Sequence, residues 1–154
     1  MGKTWYMGVG ISDYPDGLST LWCAVNDTRS FYGFLKEKMG LIDDRARLLV
    51  FPDEKGINIP IKNNILSTLK RFSTAPSMSS DDLFIFYFAG HGGNIGDKHY
   101  LFPSDSNAID SELLADTAIS YDTLCRYLDK IKVGKQLIIL DACQDNIVSV
   151  PFFL

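Results

Sequence analysis

The sequence predicts an α/β fold, a three-layer sandwich in which helices cover both faces of a mainly parallel sheet. Apolar runs of strand composition alternate with segments of helical periodicity, which is typical of parallel strands joined by right-handed crossover helices. The run at 83–88 is continuously apolar, as expected of a strand buried on both faces. A chain of 154 residues with 46% hydrophobic content is the size of one domain, so 1–154 is treated as a single unit.

The strands are predicted from their composition and from the residues that stop them. A turn cluster at 12–17 ends the first strand, and Pro52 ends the second. Pro103 indicates that the fourth strand lies at an edge, because proline cannot donate a hydrogen bond to a sheet ladder. The predicted strands are 4–11, 47–51, 83–88, 99–103 and 135–140.

The helices are predicted from apolar residues that recur three and four positions apart. The first runs from about 25 to 39 and stops at Gly40, and the second runs from about 61 to 72. Ser120 caps a third helix, which Gly134 ends. The polar stretch 107–117 is expected to be a loop.

Two residues with catalytic chemistry follow two of the predicted strands. His91 comes three residues after the strand at 83–88, and Cys143 comes three residues after the strand at 135–140. The carboxyl ends of parallel strands share one edge of a sheet, where ligands bind, so these residues meet if the strands are neighbours. An imidazole that takes the proton of a thiol makes it an effective nucleophile. The pattern therefore predicts a cysteine hydrolase.

Attack on a carbonyl also requires N–H donors for the oxygen that becomes negative, each contributing about 3 kcal/mol in acyl-transfer sites. Gly92, beside the histidine, and the backbone amide of Cys143 are the natural donors, because small residues let the backbone approach closely. Cys23 and Cys125 lie within helical patterns and are expected to be packing residues.

Four segments resemble motifs of caspase-like peptidases, particularly the bacterial caspase homologues and metacaspases. They are Phe-Tyr-Phe-Ala-Gly-His-Gly at 86–92, Leu-Asp-Ala-Cys at 140–143, Leu-Trp-Cys-Ala-Val-Asn-Asp at 21–27 and Tyr-Leu-Phe-Pro-Ser-Asp at 100–105. The histidine of caspases precedes the cysteine by about 50 residues, as it does here. The resemblance implies a caspase–haemoglobinase fold and an endopeptidase with His91 as general acid/base and Cys143 as nucleophile.

The same resemblance implies a pocket for the residue before the cleaved bond. Acidic residues that match Asp27 and Asp141 line that pocket in metacaspases. Two carboxylates suit Arg or Lys, because a guanidinium requires planar, bidentate acceptors. The alternative is structural: Asp27 caps the first helix and Asp141 braces the loop of the cysteine.

Relatives of this kind normally continue past the cysteine with a small-subunit-like portion, and the sequence ends eleven residues after Cys143, at Leu154. The sheet is therefore expected to expose an unpaired edge beside the catalytic strand, where a second copy or a completing small-subunit-like chain binds. The loop at 94–98 is too short to predict calcium dependence, and no Asn or Asp can be nominated to orient the imidazole.

Composition argues against several partners and locations. The net charge is −4 and the pI is about 5.0, without a run of Lys or Arg, so nucleic-acid binding is not expected. No apolar run approaches the roughly 18 to 20 residues that cross a bilayer, and no signal peptide is recognisable. Three widely spaced cysteines favour a reducing compartment, so we expect a cytoplasmic protein without cofactor or membrane association.

Three other functions are alternatives to the peptidase. A catalytically silent caspase-like module would act in oligomerisation or scaffolding through the open edge. A nucleotide-binding domain is disfavoured because Gly8-Val9-Gly10 lacks the remaining glycine of a dinucleotide fingerprint. A zinc site built from His91, His99 and the cysteines lacks the usual close ligand pairs.

Overall fold

The computed structural model describes residues 2–14 and 17–146, with the backbone alone at 143–146. The strands are β1 (Thr4–Ile11), β2 (Ala46–Phe51), β3 (Leu83–Ile95), β4 (Lys98–Leu101), β5 (Ile119–Ser120) and β6 (Lys135–Asn146). The helices are α1 (Ala24–Met39), α2 (Lys62–Ser73), α3 (Ser111–Thr117) and α4 (Tyr121–Leu128), with a 3₁₀ turn at Asp43–Arg45.

β3 is the central strand of the sheet. β1 pairs along one side of it, with β2 beyond, and β6 pairs along the other side; all of these pairings are parallel. A turn through Gly96, whose φ is 65°, returns the chain as β4, antiparallel to the end of β3, and β5 pairs with β4. The predicted mainly parallel sheet is confirmed.

The side chains of β3 alternate between two buried clusters. Phe84, Phe86 and Phe88 pack among residues of α2 and α4 on one face of the sheet. Ile85 and Tyr87 pack with residues of α1 on the other face. Helices therefore cover both faces of the central strand, which explains its continuous apolar run and confirms the three layers.

Local signals set several boundaries where the sequence predicted them. β1 has the predicted bounds, and α1 ends at Gly40, which adopts the left-handed conformation with φ 62°. The Ser120 hydroxyl accepts a hydrogen bond from the backbone N–H of Thr123 at 3.1 Å and so caps α4.

Other predictions of local structure were wrong. The stretch 107–117 is not all loop, because it contains α3, which Asp110 caps by accepting from Leu113 N at 2.7 Å. The buried Leu114 packs with Phe102 and holds this short helix to the domain. α4 ends at Leu128, before Gly134. Cys23 and Cys125 are exposed and do not pack in the core.

The two long strands extend past their predicted ends at 88 and 140. β3 continues through His91 to Ile95, and β6 continues through Cys143 to Asn146. Both extensions keep sheet partners: the end of β3 pairs with β4 on one side and with β6 on the other. His91 and Cys143 therefore lie within strands and not in turns beyond the strand ends.

Asp82 joins the start of β3 to β1 through its buried carboxylate. The carboxylate accepts hydrogen bonds from the backbone N–H of Lys3 at 2.7 Å, from Trp5 Nε1 at 2.9 Å and from the backbone N–H of Ser79 at 3.0 Å. Burial by itself raises the pKa of this carboxyl, but the hydrogen bonds outweigh burial and lower the pKa from 3.8 to about 2.

A folded-state pKa below the unfolded value means that Asp82 stabilises the protein above its unfolded pKa, and that this contribution is lost as the pH falls toward about 2. We expect Asp82→Asn to lower the free energy of unfolding at neutral pH and to flatten its decline between about pH 4 and about pH 2, measured by urea unfolding. The exposed neighbour supplies the control, Asp81→Asn. If the free energy of unfolding of Asp82→Asn declined between about pH 4 and about pH 2 as steeply as that of the wild type, the low pKa assigned to Asp82 would be contradicted.

Candidate active site

His91 and Cys143 occupy paired positions on β3 and β6. These strands are parallel neighbours, and neighbouring strands of a sheet lie about 4.8 Å apart. The structure therefore brings together the backbones of the two residues that the sequence nominates. The side chain of Cys143 lies outside the described residues.

The imidazole of His91 is buried, with 5% of the residue exposed, and a main-chain oxygen contacts it. Its Nε2 lies 2.7 Å from the carbonyl oxygen of Ser19 and 3.5 Å from the Ser19 hydroxyl. A carbonyl oxygen only accepts hydrogen bonds, so Nε2 carries the hydrogen and Nδ1 is the basic nitrogen of the neutral ring. The imidazole is thus held in one tautomer.

No residue could be nominated from the sequence for this orienting role, because the contact is made by a backbone carbonyl that any residue could supply. Ser19 lies in the connection between β1 and α1, and Tyr14 of the same connection packs its ring against the imidazole with centroids 4.8 Å apart. Turn residues at 12–17 were the available signal, and they indicate a turn without indicating what it contacts.

Gly92 follows His91 on β3 and faces strands on both sides. It is in register with Leu101 of β4 and with Gln144 of β6. A Cβ at this position would lie 3.0 Å from the carbonyl oxygen of Tyr100 and 3.1 Å from the Cβ of Ala142, so close packing favours glycine here. The backbone amides of Gly92 and Cys143 lie in the same part of the sheet, and their role as oxyanion donors stays a prediction.

Asp27 and Asp141 come from different elements, and the charges of both affect the pKa of one hydroxyl, that of Tyr87. Asp27 lies in the first turn of α1, and Asp141 lies on β6 in register with Ala89. Burial raises the pKa of Tyr87, and the negative charges of Asp141 and Asp27 raise it further. Both carboxylates are therefore within electrostatic range of the Tyr87 phenol, and both aspartates are exposed.

The capping alternative for Asp27 is wrong. The N-cap of α1 is Cys23, and no side chain caps that end of the helix. The backbone N–H of Asp27 donates to the carbonyl oxygen of Cys23 at 2.8 Å, which places Asp27 inside the helix. Its negative charge in the first turn still stabilises α1 through the helix dipole, by roughly 0.3–1 kcal/mol for exposed groups.

Among the side chains at 2–14 and 17–142, no three His, Cys, Asp or Glu residues form a group that could hold a metal ion. No helix within the same residues is long and apolar enough to span a bilayer.

Comparisons with known proteins agree with this arrangement. A family model of the caspase domain matches residues 7–152. No curated protein matches the chain. Among solved structures, protein GSU0716 from Geobacter sulfurreducens is similar with a TM-score of 0.69 at 16% sequence identity, over 95% of this chain and 52% of that chain. At this identity the likeness concerns the fold alone, and the chain spans about half the length of that protein.

A mainly parallel sheet between helices, with paired histidine and cysteine positions on neighbouring strands, is the architecture of a caspase-like domain. The chain belongs to the caspase-domain family, whose model matches it over nearly its full length. This is a family of cysteine peptidases, and the predicted resemblance and fold class are confirmed.

The environments of two glycines predict opposite effects of an added methyl group. We expect Gly92→Ala to lower the free energy of unfolding by about 1–3 kcal/mol, because the new Cβ overpacks the β3–β4–β6 contact. Gly33→Ala is the matched control, because its Cβ meets nothing within 4 Å on α1 and the helix gains up to about 1 kcal/mol. Urea unfolding of both variants measures the difference, and equal stabilities would contradict the packing around Gly92.

Proposed function

We propose that the protein is a cysteine endopeptidase in which Cys143 is the nucleophile and His91 is the general acid and base. The observation that supports this most is the register of β3 with β6, which pairs these two positions across neighbouring strands. The second support is the Ser19 carbonyl, which accepts a hydrogen bond from His91 Nε2 at 2.7 Å and leaves Nδ1 to exchange a proton with the thiol.

The reaction begins when Nδ1 of His91 takes the proton from the Cys143 thiol. The thiolate attacks the peptide carbonyl carbon, and the oxygen becomes negative beside the amides of Gly92 and Cys143, each of which contributes about 3 kcal/mol of stabilisation. The imidazolium then gives its proton to the departing amine, and the C–N bond breaks. Water, deprotonated by the imidazole, attacks the carbonyl carbon of the acyl-enzyme. The C–S bond then breaks, the acid leaves, and the imidazolium returns its proton to the sulfur of Cys143.

The Ser19 carbonyl also stabilises the charged state of the ring that forms in this cycle. When Nδ1 becomes protonated, Nε2–H stays bonded to the Ser19 oxygen, so the positive charge develops against a fixed dipole. The histidine is buried, and a buried hydrogen bond is electrostatically stronger than one in water. A backbone carbonyl thus does the orienting that a side-chain carboxylate or amide does in other hydrolases.

We further propose that the enzyme cleaves after Arg or Lys. Asp27 and Asp141 are exposed carboxylates from α1 and β6, and both raise the pKa of the same Tyr87 hydroxyl, which supports their lining one pocket. Asp141 lies only two residues before Cys143, close to the scissile bond of a bound peptide. A guanidinium between two carboxylates forms charge-assisted hydrogen bonds that a neutral side chain cannot form.

Peptide cleavage tests both parts of the proposal. We expect cleavage after Arg, its loss in Cys143→Ala, and a fall in kcat/KM of about 10- to 100-fold in Asp27→Asn and in Asp141→Asn, because charged hydrogen bonds contribute about 1.5–3 kcal/mol. Asp122→Asn, an exposed acid in the first turn of α4, is the control. Fluorogenic peptides ending in Arg, Lys or Asp measure the rates.

The possible results separate the claims. Cleavage after Asp would reverse the proposed specificity and leave the roles of His91 and Cys143 intact. Folded protein that cleaves none of the peptides would contradict the peptidase and favour the silent module.

The outer edge of β6 supports a second proposed role, which is association with another chain. Within the described residues β6 pairs only with β3, and it exposes Leu137 and Ile138 by 45% and 43%. An unpaired apolar edge strand is a template for pairing with another chain. We propose that a second copy or a small-subunit-like chain adds strands there, pairing with the free edge of β6.

A double substitution tests the edge. We expect Leu137→Lys with Ile138→Lys to weaken self-association in sedimentation velocity, because the charges block strand pairing. Ile57→Lys is the control, since Ile57 is also an exposed apolar side chain but follows β2, at the opposite side of the sheet. Wild-type protein that remains monomeric at every concentration would contradict assembly through a second copy.

A further inference from the structure

The catalytic histidine has a second neighbour in the β1–α1 connection, which no motif assigns. We propose that Tyr14 is a positioning residue for His91, whose hydroxyl fixes the backbone at the histidine and whose ring fixes the imidazole. This inference rests on the proposed role of His91 as acid and base.

The Tyr14 hydroxyl is fully used by two backbone groups. It accepts a hydrogen bond from the backbone N–H of His91 at 2.8 Å and donates one to the carbonyl oxygen of Phe102 at 2.8 Å. The backbone N–H of Phe102 in turn donates to the carbonyl oxygen of His91 at 2.9 Å. The hydroxyl therefore completes a closed set of bonds around the histidine, and its proton can point in one direction only.

The Tyr14 ring holds the imidazole from a second direction. The two rings meet edge to face, with centroids 4.8 Å apart and planes inclined by 61°. Such aromatic pairs have preferred geometries and contribute about 0.5–1.5 kcal/mol beyond burial. Ser19, five residues further along, binds Nε2 of the same imidazole. One connection thus restrains the backbone, the ring plane and the tautomer of His91.

The neighbouring residues fit this arrangement. A Cβ at Gly90 would lie 2.6 Å from the Tyr14 hydroxyl oxygen, so glycine leaves the space that the hydroxyl occupies. Burial raises the pKa of Tyr14 well above its usual value, and the hydroxyl therefore remains a donor at any pH at which the enzyme works. A phenylalanine would keep the ring and lose only the two hydrogen bonds.

The chain contains two histidines, His91 and the exposed His99, so NMR of protein with ¹⁵N-labelled histidine reports on each ring. In a Cys143→Ala background we expect His91 to show one tautomer, with hydrogen on Nε2. Tyr14→Phe should mix the tautomers and speed exchange of that hydrogen by about tenfold or more. Tyr127→Phe, a tyrosine on α4 packed against the core, should leave the His91 signals unchanged.

Kinetics of the same substitutions with Cys143 present supply the second readout. We expect Tyr14→Phe to lower kcat about 10- to 100-fold with KM within about twofold, because small displacements of a catalytic group cost rates of this order. Tyr127→Phe should keep the wild-type kcat. Unchanged His91 signals with unchanged kcat in folded Tyr14→Phe would overturn the proposal, as would a rise in KM alone.

Gly90→Ala keeps the hydroxyl but crowds it, and so tests the proposal independently if Tyr14→Phe does not fold. It should mix the His91 tautomers in the same way, and wild-type signals in this variant would overturn the proposal. The NMR experiment needs no turnover. Absence of cleavage by the wild-type protein would therefore count against the proposed function, while the tautomers of His91 would still decide the role of Tyr14.

Discussion

The parallel pairing of β3 with β6 is continuous from Leu83 and Lys135 to Asn94 and Asn146, and the His91–Cys143 pair lies near its end. In a β-sheet, a slip of one residue reverses the face on which every side chain of the strand lies. The placement of His91 beside Cys143 therefore depends on a register that is set along the whole length of two strands. The positions of His91 and Cys143 are thus determined by the packing of the strands that precede them.

The core determines this register on the β3 side. Phe84, Phe86 and Phe88 fill one cluster, while Ile85 and Tyr87 fill the other, so a shift of β3 would exchange large rings for differently shaped spaces. Close packing makes such an exchange costly in free energy, since even one added or lost methylene changes the stability of a protein interior. The apolar run before the histidine is thus as much a part of the site as the histidine itself.

Much of this architecture could be predicted because its signals are local. The bounds of β1, the Gly40 end of α1 and the Ser120 cap of α4 depend on residues within a few positions of each boundary. The adjacency of His91 and Cys143 followed from a general property of parallel sheets, because both residues follow strongly apolar strands. α3 was missed because its polar composition conceals a helix that depends on Leu114 reaching the core.

What the sequence could not provide are contacts between backbone groups and distant residues. The Ser19 carbonyl carries no residue-specific signal, and the bond between Tyr14 and His91 joins positions 77 residues apart. The ends of β3 and β6 were underestimated for a related reason. Strand length there depends on which partners continue alongside, and this is a property of the assembled sheet.

The connection between β1 and α1 bears on how the proposed catalytic activity would be lost under mild stress. Surface connections open at a lower free-energy cost than buried strands, in motions far smaller than global unfolding. Since Tyr14 and Ser19 both lie in that connection, such local opening would release the imidazole while the sheet remains intact. The proposed catalytic activity would then be lost under milder conditions than those that unfold the domain.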